Sequence, residues 1–295
     1  MKKKNLVKKK AEPYVYIAPT VVLMGLLLII PIFNVIRYSF YDNAFIVRNP
    51  QFVGLENYRT ILHDDVFLQS IRLTAFFVIA SIVAHILIAL VFAHLLNARC
   101  FTTRTKTIAR VIYIFPWIFT ATVVAVMWKL MLQPQGVVNY LLSFVGAASK
   151  HTEWFSDREI ALYVVTFINM WSGYPFYMIT VLAGLQGISP DLYESAAIDG
   201  ATSFKAFRYI TLPQLKPILL SLIMLDFVWT LKTFAIVWSL TGGGPLHATE
   251  LISLYIYRLA FMESKYSIAS AAAVLLLIVC VIVAVFYSRR QMKEE

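Results

Sequence analysis

Apolar positions run along this chain in long unbroken stretches, and polar positions gather in the segments between them. A helix needs about 20 consecutive apolar residues to cross the roughly 30 Å hydrocarbon core of a bilayer. Runs of that length lie near 14–38, 70–95, 108–132, 160–186, 216–240 and 267–287, and they predict about six transmembrane helices. The run after "MKKKNLVKKK" extends well past a signal-peptide core and offers no small-residue cleavage site, so it predicts the first span. The connecting segments 39–69, 133–159 and 241–266 carry turn formers such as "QPQG" and "TGGGP". No repeat or low-complexity stretch stands out, and the spans leave no room for a separate soluble domain. The organisation predicted is all-α, a single polytopic domain over 1–295.

Composition agrees with the pattern. At 60% hydrophobic and 14% charged residues, the chain departs from soluble domains, about a quarter of whose residues are charged. Lys and Arg concentrate in four flanking segments: Lys2 to Lys10; Arg99, Arg104, Lys106 and Arg110; Lys205, Arg208 and Lys216; and Arg289, Arg290 and Lys293. Positive residues mark cytoplasmic loops, so both termini are expected in the cytoplasm. Topology and attraction to anionic lipid then account for the net charge of +10, and no nucleic-acid partner is needed. Cys100 is expected at the cytoplasmic end of the second span and Cys280 inside the sixth, which argues against a disulfide between them.

One cytoplasmic segment differs from the rest of the chain: "YESAAIDGATSFKAFRYITLP", residues 193–213. Just before it, Ser189 suits an N-cap, Pro190 the first helical position and Asp191 the positive end of the helix dipole. A short helix is predicted through about Asp199. Gly200 can close it in the left-handed conformation, and Thr202 or Ser203 can cap a second helix that Pro213 should end near Thr211. At i, i+3 and i+7, Phe204, Phe207 and Thr211 are expected to share a face, while Ala196 and Ala197 allow another backbone to come close. On these grounds alone the element is either a docking surface or an interfacial amphipathic loop.

Polar residues inside the spans are the remaining candidates, because a charge at the bilayer centre costs about 2.5–3.5 kcal/mol on insertion scales. Asp226 should lie near the middle of the fifth span, lining a solute path or pairing in the interior, or else making a structural hydrogen bond to a neighbouring helix, with Trp229 nearby. Lys129 and Lys232 lie nearer the ends and are expected to snorkel. In "FINMWSGYPFYM", Asn169 can hydrogen-bond a hydroxyl, Trp171 and Tyr174 can stack on a sugar, and Gly173 with Pro175 can kink the helix; ordinary packing explains the same aromatics. His85 and His94 suit packing or interfacial positions. With no Cys or carboxylate at matching helical spacing, no metal site is predicted.

Residues 193–213 resemble the EAA loop of binding-protein-dependent ABC importer permeases. The spacing of that pattern is met at Glu194, Ala196, Gly200, Ile210, Leu212 and Pro213, with Ser195 standing where the family most often has Ala. Three further stretches, "FVGLENY", "GLQGISPDLYESAAIDGA" and "LKTFAIVWSLTGGGP", resemble the carbohydrate branch, in the first-permease type that includes the maltose and glycerol-phosphate systems. Ala235 replaces an acidic residue expected in many relatives, so no sugar contact is transferred to it.

The resemblance implies a type I importer permease in a bacterial or archaeal cytoplasmic (inner) membrane. Its expected partners are a second homologous permease, two cytoplasmic ATPase subunits and an extracytoplasmic solute-binding protein; its solute is a sugar, oligosaccharide or related polyol. Glu194, Ser195, Ala196, Ala197, Asp199, Gly200, Phe204, Phe207, Ile210, Leu212 and Pro213 would form the ATPase-coupling loop, within about 189–213. Asn169, Trp171, Tyr174, Asp226 and Trp229 are the candidate solute path. No residue is expected to be catalytic. The sequence has no phosphate loop, and Pro245 follows the triple glycine 242–244, so ATP and magnesium are expected on the ATPase subunits.

Two other classes compete with this reading. An ion-coupled secondary carrier would use Asp226, though the halves show no obvious inverted repeat. An intramembrane serine protease would need Ser172 beside a base and an oxyanion hole, and no nucleophile motif surrounds it.

Overall fold

The computed structural model describes residues 14, 16–42, 45–46, 48–98, 101–144, 146 and 152–294. The lysines before Tyr14, together with Arg99 and Cys100, lie outside the described residues. The predicted all-α class is what forms: among the described residues, extended pairing is limited to an isolated bridge between Tyr41 and Phe52.

The helices are α1 (Tyr16–Tyr38), α2 (Glu56–Leu62), α3 (Asp65–Asn97), α4 (Thr103–Ile118), α5 (Ala121–Met131) and α6 (Val137–Phe144). They continue with α7 (Ala161–Gln186), α8 (Pro190–Ile198), α9 (Ser203–Leu231), α10 (Ala235–Thr241), α11 (Ile252–Met262) and α12 (Tyr266–Glu294). Four of them, α1, α3, α9 and α12, are each long and apolar enough to span a bilayer. The pair α4–α5 makes a fifth if counted as one span. Helix α7, with 26 residues, is long enough but carries Asn169, Ser172 and Gly173 at its middle.

Two contact units divide the chain: Met1–Asp64 with Ile256–Ile282, and Asp65–Tyr255 with Val283–Glu295. In the first, Asn57 fixes the turn after α1 by donating to the carbonyls of Ser39 at 2.9 Å and Tyr41 at 3.0 Å. Helix α1 buries none of its residues within this chain.

The second unit is built around α7, against which α3, α4, α5, α9 and α10 pack. Its apolar core falls into two clusters. Phe77 of α3, Val165 and Ile168 of α7 and Val237 of α10 belong to one. Ala89 and Ala93 of α3, Met178 and Val181 of α7 and Leu215 and Leu219 of α9 belong to the other. Gly184 lets α7 and α9 approach closely, since a Cβ there would stand 2.6 Å from Ile218 Cδ1 and 2.9 Å from Leu215 Cδ2.

Three expectations are corrected. The single span at 108–132 is two helices that meet at 97°. Phe119 and Thr120 take extended backbone there, and the Thr120 hydroxyl accepts the Val123 N–H, capping a new helix. The span at 216–240 begins earlier and stops at Leu231, with α10 starting at Ala235; the Ser253 hydroxyl donates to the Thr233 carbonyl freed by the break.

Third, Pro213 does not end a helix. Proline lacks an N–H and its ring crowds the carbonyl four residues back. The chain absorbs both effects in a π-turn over Phe207–Thr211, in which the Leu212 N–H bonds the Phe207 carbonyl, and the helix continues to Leu231. The same device precedes Pro31, where the Ile30 N–H reaches Gly25.

Candidate functional site

Two regions carry the predicted site residues. The first is α8 with the start of α9. Ser189 caps α8 by accepting from the Asp191 N–H at 3.3 Å, with Pro190 at the first position. At the other end, Gly200 has φ +75°, a conformation in which a side chain is strained. Its N–H bonds the Ala197 carbonyl at 3.1 Å and the Ala201 N–H bonds Ala196 at 2.9 Å, which together make a Schellman closure with Asp199 as the C-cap. Thr202 then caps α9 on the Lys205 N–H at 3.4 Å. The predicted helix, bend and helix therefore form with their predicted caps.

A hydrogen bond of 2.9 Å between the Tyr193 and Thr211 hydroxyls ties α8 to α9. Three large apolar side chains stand on the outer surface among charged ones: Ile198 is 88% exposed, and Phe204 and Tyr209 are each 72% exposed, with Glu194, Lys205 and Arg208 exposed as well. Phe207 is half-buried and its ring meets His94 edge-on, while Thr211 is buried. Phe204 and Thr211 thus differ in burial, and the extra residue of the π-turn between them rotates Thr211 away from the Phe204 side by about 100°. Ser195, Ala197 and Pro213 are exposed; Ala196, Ile210 and Leu212 are half-buried. Glu194 borders a cleft of about 590 Å³ shared with His94, Asn97, Gln186 and Tyr193.

The second region is a polar layer between the two apolar clusters. On α3 it holds Ser81 and His85, which lie between Phe77 and Ala89; on α7 it holds Asn169 and Gly173; on α9 it holds Asp226 and Thr230. His85 Nδ1 lies 2.8 Å from Asp226 Oδ2, with the side chains 3% and 1% exposed. Thr230 donates to Asp226 Oδ1 at 2.8 Å, so both carboxylate oxygens are engaged. His85 Nε2 faces the Asn169 carbonyl at 3.4 Å, and the imidazole stacks on Tyr177 at 4.7 Å and 13°. Gly173 makes room for the ring: a Cβ there would stand 2.5 Å from His85 Nε2.

This layer gives each candidate path residue a definite place. Asn169 donates to Ser81 Oγ at 3.1 Å, and Tyr174 is buried and bonds the Tyr113 carbonyl at 3.1 Å. Trp171 packs on Trp128, with ring centres 5.3 Å apart. Asp226 bonds His85 of the neighbouring α3 in the interior. Trp229 stays accessible, 41% exposed, beside Phe176, which in turn contacts Trp117. Pro175 lies inside an unbroken α7, with no interruption of the helix. Sequence reasoning treated His85 as a packing residue and missed its pairing; the available signal was that His85 and Asp226 both fall inside apolar spans.

The segment after α10 is also ordered. Gly242, at φ +61°, closes that helix, and the Thr249 hydroxyl bonds both Thr241 Oγ1 and the Gly244 carbonyl. His247 pairs with Glu250, and Leu246 is exposed at the tip. Among the described residues no group of His, Cys, Asp and Glu side chains is placed to hold a metal ion.

Residues 76–293 match the family of binding-protein-dependent transport system inner membrane components. The chain is 32% identical to the trehalose/maltose transport system permease protein MalF of Thermococcus litoralis, over 88% of this chain and 86% of that one. It is 31% identical to the multiple sugar-binding transport system permease protein MsmF of Streptococcus mutans, over 82% and 81%. A crystal structure of a bacterial alginate ABC transporter, in complex with an alginate pentasaccharide-bound periplasmic protein, matches with a TM-score of 0.82 at 26% identity over 98% of each chain. With its helical architecture and these matches, the chain belongs to the binding-protein-dependent transport system inner membrane components, multi-pass permeases of ABC importers.

Proposed function

We propose that this chain is one of two related permease subunits of an ATP-driven importer, and that it translocates a sugar, oligosaccharide or related polyol delivered by an extracytoplasmic binding protein. The observation that carries this reading is the exposed helix–bend–helix at 190–211, which turns Ile198, Phe204 and Tyr209 outward from the rest of the chain. Large apolar side chains held exposed on one short segment suit an interaction surface. The partner is a cytoplasmic ATPase subunit, which binds ATP and magnesium.

Closure of the ATPase would move α8 and the first turns of α9 as one body, because the Tyr193–Thr211 bond links them. The chain would cross the membrane six times with both termini in the cytoplasm, α4–α5 serving as a bent crossing and α7 as a polar-centred one. In the solute path, Trp229 is the residue free to stack on a sugar, with Phe176 and Trp117 beside it. Leu246, at the tip of its hydrogen-bonded loop, is the side chain placed to meet the binding protein.

The test is purification of the tagged chain from its native membrane in mild detergent, followed by mass spectrometry of the proteins that stay bound. A second permease and an ATPase are expected, and Gly200→Glu is expected to release the ATPase. A chain that purifies alone or as a homodimer, with uptake following an ion gradient, would overturn the reading.

A further inference from the structure

We infer that His85 is a positioning residue of the transport cycle. Acting through Asp226, it fastens α9, the helix driven by the coupling loop, to α3, and this intramembrane latch opens in each turnover. The inference rests on the coupling-loop reading and adds to it the place where the motion is resisted.

The first support is continuity. From Ser203 to Leu231 the helix is uninterrupted, running through the π-turn at Phe207–Thr211 and past Pro217. Asp226 follows Thr211 by about four turns of that rod. A displacement imposed at the start of α9 is carried along this helix to Asp226, whose polar contact on α3 is His85.

The second support is that the seat is built for one imidazole. Gly173 leaves the volume the ring occupies, Tyr177 stacks on one face, and Thr230 holds the second Asp226 oxygen. The ring places one nitrogen against a carboxylate and the other against a backbone carbonyl.

The third support is the choice of chemistry. Apolar side chains of similar volume hold helices together at least as well as a buried ion pair, so holding strength alone does not explain the pair. What a pair supplies is two discrete states, bonded in a dry interior or parted and solvated. The geometry offers the second state. Trp229 follows Asp226 by three residues and so points about 60° away around the helix axis. A rotation of α9 of that order would carry Asp226 from its buried site to the accessible direction Trp229 now faces.

The test uses the whole transporter, this chain with its partner permease and ATPases, reconstituted in liposomes and assayed for ATP hydrolysis with and without its binding protein. In a background of Cys100→Ser and Cys280→Ser, His85→Cys and Asp226→Cys are introduced together. Removing both partners leaves neither side chain buried without its partner and takes the latch away, so this variant should assemble and, before the thiols are joined, hydrolyse ATP about threefold or more faster than its parent without the binding protein. Joining the two thiols with a short bis-methanethiosulfonate should lower turnover at least about tenfold, and dithiothreitol should restore it. Turnover at the parent rate with the thiols joined would overturn the latch and leave the coupling reading intact; a parent complex lacking an ATPase would defeat the coupling reading itself.

If the cysteine pair fails to accumulate in the membrane, His85→Gln with Asp226→Asn keeps a hydrogen bond while removing both ionisable groups. A weakened latch predicts basal hydrolysis raised by about threefold or more, with stimulation by the binding protein reduced. An unchanged ratio of stimulated to basal rates, including an equal fall in both, would overturn the inference.

Discussion

The coupling loop and the polar layer use the same chain in opposite ways. At 190–211, Ile198, Phe204 and Tyr209 face outward and the polar groups cap and brace the helices. At the middle of the spans, His85, Asp226 and Thr230 face inward while Ile79, Val83 and Leu87 of α3 face out. Each arrangement inverts the rule for its own solvent: water beside apolar side chains, hydrocarbon around charged ones. An inversion persists where another surface compensates it. For the loop that surface belongs to another polypeptide, and for the layer it is supplied by α3, α7 and α9 themselves. Loop substitutions should therefore break assembly and spare folding, and layer substitutions should do the reverse.

The largest effect is expected at the loop surface. Ile198→Asp or Phe204→Asp places a charge at the centre of the proposed interface, where a desolvated hot spot contributes about 2 kcal/mol or more. The ATPase retained on the purified permease should fall more than tenfold, about 1.4 kcal/mol or more. Because both side chains are exposed, the amount of permease in the membrane should stay near that of the parent. A matching loss of permease would show that these residues serve the fold, and the contrast between the regions would fail.

The layer tests the opposite case. Asp226→Ala leaves His85 buried beside a cavity, and breaking one side of a buried pair costs about 3–5 kcal/mol. His85→Leu with Asp226→Leu replaces both partners with apolar side chains and should recover most of that loss in a thermal unfolding assay in detergent. Equal destabilisation by the single and double changes would mean that packing, and not charge compensation, holds the layer.

Two glycines sharpen the same comparison at smaller scale. Gly173→Ala puts a methyl group 2.5 Å from His85 Nε2, so the ring must move, at an overpacking cost of about 1–3 kcal/mol. A Cβ at Gly200 meets nothing within 4 Å, and Gly200→Ala adds only the strain of its positive φ, about 1 kcal/mol. In thermal unfolding, Gly173→Ala should be the more damaging. The reverse order would place the constraint in the loop backbone.

How far the sequence discloses this arrangement depends on the range of each interaction. The caps at Ser189 and Thr202 and the bend at Gly200 are legible because a cap is decided within a few residues. The long apolar runs are legible for a similar reason, since each helix meets hydrocarbon along its own length. Pro213 misleads because its local meaning is to stop a helix, while a single π-turn, invisible in residue type, lets the helix pass. The 97° bend at Phe119 and Thr120 is missed because hydropathy counts apolar residues without regard to direction. The pairing of His85 with Asp226 joins residues 141 positions apart, and no local pattern records it. The cost of leaving either charge alone in hydrocarbon indicates that each needs a partner, without saying which.

The smallest expected effect comes from an exposed ion pair, which serves as the control for the buried one. Between α11 and α12, Glu263 accepts from Lys265 Nζ at 2.7 Å and from Arg258. The Lys265 hydrogen bond is the main cause holding the Glu263 carboxyl below the usual glutamate range; desolvation opposes it, and the charges of Arg258 and Lys265 add to it. A carboxyl with a depressed folded-state pKa stabilises the protein above its unfolded value, near pH 4.3, and that contribution fades as pH falls through the folded value. The window is therefore acidic, and nothing should change between pH 6 and 8. Lys265 is more than half exposed, so solvent screens the pair and about 0.2–1 kcal/mol is at stake. Lys265→Met should lower thermal stability slightly at pH 6 and bring the variant and the parent together as pH drops below about 4. High salt should shrink the difference at pH 6, because exposed pairs are screened, and should leave the Asp226→Ala defect almost unchanged, because a buried pair is not. If salt relieved both defects equally, Asp226 and His85 would have to lie in contact with water, and the dry polar layer on which the contrast depends would be lost.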